Sequence, residues 1–160
     1  ISKIYFYYTI YCMKSVELKI KKLNPKAKVP EYKTQGAAGC DLCALLDEEV
    51  VLKPLERKLV PTGLSIELPI GYEAQIRPRS GLSLKHGITL INAIGTIDSD
   101  YRGEILVPLV NLSNEPYCIK PYERICQMVI NKVEMPQIVV VEQLNETARS
   151  AGGFGSTGTH

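Results

Sequence analysis

The sequence predicts an all-β sandwich or barrel in a single domain. Three observations support this. Short apolar runs alternate with turn residues at the spacing of an all-β fold. Ten prolines and twelve glycines punctuate the chain. No long apolar period of 3.6 residues marks an extended helix. A length of 160 residues suits one domain with a sizeable core.

Taken in order, residues 1–12 (ISKIYFYYTIYC) are aromatic and β-branched, with Lys3 the only charge. They are too short to span a bilayer and lack a small-residue cleavage site, so they read as an upstream extension or an extra edge strand. The domain proper is expected over 13–144. Within it Val16, Leu18 and Ile20 alternate, as do Ile66 and Leu68 on the approach to Pro69 and Gly71. Val50–Leu52, Ile88–Ile91, Ile105–Val110, Met128–Ile130 and Ile138–Val141 are further β-branched runs. A short helical turn is expected over Leu82–Lys85. The Gly-, Ser- and Thr-rich tail, 145–160, has no strand pattern and is expected to be mobile when the protein is empty.

Composition narrows the function. With 45% hydrophobic and 22% charged residues, the chain reads as an ordinary soluble globular protein. Its net charge is +2 and its lysines and arginines are dispersed, so neither nucleic acid nor membrane is an expected partner. Five cysteines, with one CxxC spacing at Cys40 and Cys43 and no second pair, point to free thiols in a reducing cytosol and not to a zinc site.

The most informative stretch is Asn92–Glu104, NAIGTIDSDYRGE, which reads as a turn between strands, a hairpin, and runs directly into an apolar strand. It places Asp98 near the rim of a sheet, where a carboxylate could be held rigidly and activate a water. Taken alone, Asp98 reads more readily as a turn-capping residue. Four other polar, glycine-bearing segments accompany it: AAGCDLCA (37–44), RPRSGLS (77–83), YERICQMV (122–129) and RSAGGFGSTG (149–158). Arg79, Ser80 and Gly81 have the makings of a phosphate turn, with a forked cation, a hydroxyl and backbone N–H groups that glycine leaves accessible. Phe154 amid glycines suggests a tail with something to cover.

In this order, from about Met13 to Gly158, the five segments resemble the motifs of the trimeric dUTP nucleotidohydrolases. The resemblance implies a jelly roll with a flexible C-terminal arm. It also implies hydrolysis of dUTP to dUMP and pyrophosphate, by attack of an Asp98-activated water on the α-phosphorus. This would lower dUTP and supply dUMP for dTMP synthesis. By resemblance Asn92, Gly95, Thr96, Ile97 and Leu106 surround uracil, and Tyr101 stacks on the deoxyribose. In the tail Phe154 lies over the base, while Arg149, Ser156 and Thr157, around Gly155, meet the β- and γ-phosphates. Asp41 and Gln127 would touch a Mg²⁺ shell through water, with no direct protein ligand. A cytoplasmic homotrimer with shared active sites is implied as well.

Arg124 is expected to pair with Asp41 or Asp100, Asp100 to stabilise its turn, and His86 to be structural. Cys40, Ile94, Tyr122 and Ser150 depart from the family's usual residues and bear on loop geometry. Two other readings are a dCTP deaminase-related enzyme, against which the IDSDYRGE segment argues, and a non-catalytic nucleotide-binding regulatory module.

Overall fold

The computed structural model describes residues 16–153. The extension at 1–12 and tail residues Phe154, Gly155, Ser156 and Thr157 lie outside them. The element order is β1 (Lys19–Lys22), β2 (Cys40–Cys43), β3 (Val50–Leu52), β4 (Arg57–Pro61), β5 (Leu64–Glu67), β6 (Tyr72–Pro78), α1 (Ser80–His86), β7 (Ile88–Leu90), β8 (Gly95–Ile97), β9 (Leu106–Asn111), β10 (Tyr117–Ile119) and β11 (Arg124–Lys132).

The strands form a jelly roll in which every described pairing is antiparallel. One sheet has the order β2-β11-β6-β8 and a second has β4-β9-β7; β1-β5 and β10-β3 are two-stranded. From β6 to β9 the chain crosses repeatedly between the two larger sheets. Alternating side chains build the core between them. Cys40 and Leu42 of β2, Ala74 and Ile76 of β6, and Cys126 and Met128 of β11 are buried from one side. Val60, Ile88, Leu90, Val107 and Leu109 are buried from the other. On the opposite, outward face of the four-stranded sheet stand the polar residues Asp41 on β2, Gln127 on β11, and Glu73, Gln75 and Arg77 on β6. Register aligns Asp41 with Gln127, and Gln127 with Arg77, in one row across three strands.

Asn111, fully buried at the end of β9, joins that strand to its surroundings. Its Nδ2 donates to Leu52 O (2.9 Å) and Glu115 O (2.7 Å), while its Oδ1 accepts from Ser113 N (2.9 Å).

Several sequence expectations change. The helical turn is longer, Ser80–His86, closed by Gly87 in the left-handed conformation with Lys85 and His86 in its last turn. The run Ile138–Val141 forms no strand; β11 ends at Lys132, and Val140 beyond it is 94% exposed. Its side chains suit a strand, but no strand among the described residues offers it a partner. Cys40, Cys43, Cys118 and Cys126 are free thiols, as expected. His86 packs its ring on Tyr117, with centroids 4.9 Å apart.

Candidate active site

The candidate residues fall into two groups at different places on the fold. The first gathers around Asp41. Outward-facing on β2, its Oδ1 lies 3.1 Å from Arg79 Nε and its Oδ2 accepts from Arg124 Nη1 at 2.8 Å. Arg79 Nη1 also donates to Arg124 O at 2.8 Å, so one carboxylate and one carbonyl fix both guanidinium groups. Of the two expected partners for Arg124, Asp41 is the one found. Arg79 caps α1 with an extended backbone and no side-chain cap bond, while Ser80 and Gly81 are exposed in its first turn. Beside this cluster, a cavity of about 470 Å³ is lined by Lys28, Lys33, Asp41, Cys43, Tyr122 and Arg124, among others. Three cations, Lys28, Lys33 and Arg124, face two acids there, Asp41 and Glu31, the latter 3.4 Å from Lys33 Nζ. Burial pushes the Cys43 thiol up, against the opposing pull of Lys28, so it remains protonated near neutral pH. Tyr122 holds φ at 62°, and Lys28 Nζ lies 4.9 Å from its ring centroid.

The second group lies at the far edge of the four-stranded sheet. Among the described residues strand β8 pairs only with β6, which leaves its outer backbone edge open. Asn92 bends back over it: a β-carbon on Gly95 would lie 3.3 Å from Asn92 Nδ2. The turn between them carries Ala93 at φ 60°. Asp98 follows β8 directly and is exposed. Thr96, Ile97, Asp98, Tyr101, Glu104 and Leu106 line a cavity of about 160 Å³.

The sequence suggested that this segment is a hairpin. Instead β8 and β9 belong to different sheets, and residues 98–105 bridge them. The bridge is held tightly. Ile105 N donates to Leu64 O (2.8 Å), Ser65 Oγ to Arg102 O (2.7 Å) and Gly63 N to Glu104 Oε1 (2.7 Å). Tyr101 N donates to Asp98 O (3.1 Å) and Tyr101 Oη to Glu104 O (3.0 Å). The Tyr101 ring lies so close over Gly103 that any β-carbon there would collide with it. Arg102 Nη1 donates to Ser99 O (2.7 Å) and Tyr101 O (2.9 Å), stabilising the turn in place of Asp100. Asp100 forms no ion pair with the arginines among the described residues.

One chain does not bring the two groups together. Continuing the register of β8 sets Asp98 level with Glu73, whereas Asp41 is level with Arg77 and three strand spacings away. At ~4.8 Å per strand and ~3.4 Å per residue, that separation is on the order of 20 Å. Arg149 joins neither group: its Nε donates to Gly152 O at 2.9 Å within an exposed turn. No group of three or more His, Cys, Asp or Glu among the described residues could hold a metal ion.

The family model described as dUTPase matches residues 25–158. The chain belongs to the dUTPase family. It is 58% identical over 142 residues to the deoxyuridine 5'-triphosphate nucleotidohydrolase of Finegoldia magna, covering 88% of this chain and 99% of the relative. The protein of that name from Cytophaga hutchinsonii is 62% identical over 130 residues, covering 81% and 84%. Among solved structures, the Staphylococcus bacteriophage 80alpha dUTPase G164S mutant with dUpNHpp is similar, with a TM-score of 0.81 and 27% identity, covering 89% of this chain and 98% of that one. For a dUTPase, sequence reasoning missed Gly103 and Glu104 as supports of Tyr101. It also missed Lys28 and Lys33, which line the recess beside Asp41 and stand in a stretch without periodicity. Gly103 had a usable signal, a glycine two residues after an aromatic in a turn.

Proposed function

We propose that this chain hydrolyses dUTP to dUMP and pyrophosphate, with Asp98 as general base for a water that attacks the α-phosphorus. The observation that supports this best is the placement of Asp98: a solvent-open carboxylate at the end of a free strand edge, in a pocket with Tyr101 and Leu106. The β8 edge offers N–H and C=O groups to uracil much as a neighbouring strand would. The Asn92 amide adds a hydrogen-bonding group, and stiff backbone leaves no room for a 5-methyl. Tyr101, held by Glu104 O and Gly103, fills the space of a ribose 2′-hydroxyl. Arg79, Ser80 and Gly81 receive phosphate oxygens, and Arg149, Phe154, Gly155, Ser156 and Thr157 close over the nucleotide.

A separation of ~20 Å is too large for one α-phosphate to meet both Arg79 and Asp98 of a single chain. The reading therefore includes a homotrimer in which each site combines groups from different copies. Mg²⁺ fits this chain only at one remove. Asp41 and Gln127 face outward side by side, but both Asp41 oxygens are already paired with arginines, so contact through water suits them and direct ligation does not. When bound, the ion would neutralise phosphate charge and fix the triphosphate conformation. We place the enzyme in the cytoplasm, where its product would supply dTMP synthesis.

Pyrophosphate release from dUTP and from dCTP, each with and without Mg²⁺, tests the reading. Turnover of dUTP that is strongest with Mg²⁺, and no turnover of dCTP, is expected. Ammonia release from dCTP would favour the deaminase-related alternative, and tight dUTP binding without turnover the non-catalytic module.

A further inference from the structure

Arg77 has no role in the reading above, yet it stands in the row Arg77–Gln127–Asp41 on the outward face of the four-stranded sheet. Its guanidinium is half-buried and held in one place. Nε and Nη2 both donate to Gln75 Oε1, at 3.1 and 2.6 Å. Gln75 Nε2 in turn donates to Glu73 Oε1 at 2.6 Å, which fixes the orientation of the amide. Three successive outward side chains of β6 thus form a relay that aims an arginine. Among the described residues no carboxylate forms an ion pair with Arg77, and its neighbour Gln127 is neutral. Arg79 and Arg124 differ, because Asp41 cancels one of their two charges. A part-buried guanidinium with spare donors and no counter-charge lacks an anion. The nearest anion the proposed reaction supplies is the polyphosphate, which carries more negative charge than the Asp41 cluster alone can balance.

We infer that Arg77 is a further phosphate-binding residue of this site, its fork aimed by Gln75 and Glu73 at the polyphosphate of the nucleotide. The inference rests on the proposed dUTP hydrolysis. Planar, two-pronged donation to phosphate oxygens is what a guanidinium supplies and an ammonium does not. Gln75 occupies one face of the fork and leaves Nη1 free to donate.

The test measures binding of a non-hydrolysable dUTP analogue and of deoxyuridine, which has no phosphate, to the unmodified protein, Arg77→Gln and Arg77→Lys. Losing charge-assisted bonds to phosphate should weaken the analogue about 10- to 100-fold in Arg77→Gln and by less in Arg77→Lys, with deoxyuridine affinity unchanged. Gln75→Ala, which frees the arginine without removing it, should weaken the analogue several-fold. Unchanged analogue binding in Arg77→Gln overturns the inference. So does an equal loss for analogue and deoxyuridine, or a changed oligomeric mass, since each means that Arg77 holds protein and not phosphate. Failure of the unmodified protein to hydrolyse dUTP would instead overturn the proposed function itself.

Discussion

At the scale of single residues, the proposed function divides the work between Asp98, for chemistry, and Tyr101, for selection. Replacing Asp98 by Asn keeps the shape but removes the proton acceptor. Turnover of dUTP should fall at least about 100-fold, while affinity for a non-hydrolysable analogue stays near normal. Near-normal turnover in that variant would shift the role to Asp41 or Asp100. Tyr101 depends on a neighbour that lacks a side chain. In Gly103→Ala the added methyl must push the ring aside, because the tyrosine already fills that space. The ratio of kcat/KM for UTP over dUTP should then rise, as it should for Tyr101→Ala. An unchanged ratio in both would remove Tyr101 from sugar recognition.

At the scale of elements, what was legible followed burial. Val50–Leu52 and Ile88–Leu90 are strands where their β-branched residues placed them. The sequence offered β8 only as one arm of a hairpin, because Gly-Thr-Ile is too short to alternate and its pairing with β6 comes from distant chain. Ile138–Val141 is the reverse case: strong strand propensity with no partner among the described residues. The Asp41–Arg124 pair was foreseen only as one of two options, since strand register, set by β2 and β11 together, decided it. Buried polar anchoring was not legible at all. Nothing in the sequence distinguishes Asn111 from other asparagines, yet it satisfies carbonyls from two segments. Asn111→Ala should leave those groups unpaired over a small cavity and cost about 3 kcal/mol, read from urea denaturation. A loss below about 1 kcal/mol would mean that water replaces the amide.

At the scale of the whole molecule, the distance between the two residue groups explains why sequence order revealed the site's members but not its assembly. All five polar segments were recognisable along the chain, whereas their meeting point, in the proposed homotrimer, would draw on more than one copy. Truncation after Glu146 removes Arg149 and the segment beyond but leaves every described strand. It should give a folded oligomer of unchanged association state with little dUTP turnover. Co-refolding it with full-length Asp98→Asn should restore activity above that of either parent, because intact tails can then close over intact carboxylates. Verified hybrids with no recovered activity would mean that each tail serves its own chain or plays no catalytic part.

The free edge of β8 has a further consequence. A strand edge open enough to receive a base can also receive a strand from another molecule, which is how sheets begin to aggregate. This edge is three residues long and is followed at once by two acids, Asp98 and Asp100. Their charges repel a second strand as effectively as shortness limits it. The carboxylate assigned to the chemistry thus also guards solubility, so a descendant that no longer needed catalysis would lose Tyr101 or its tail with less harm than Asp98.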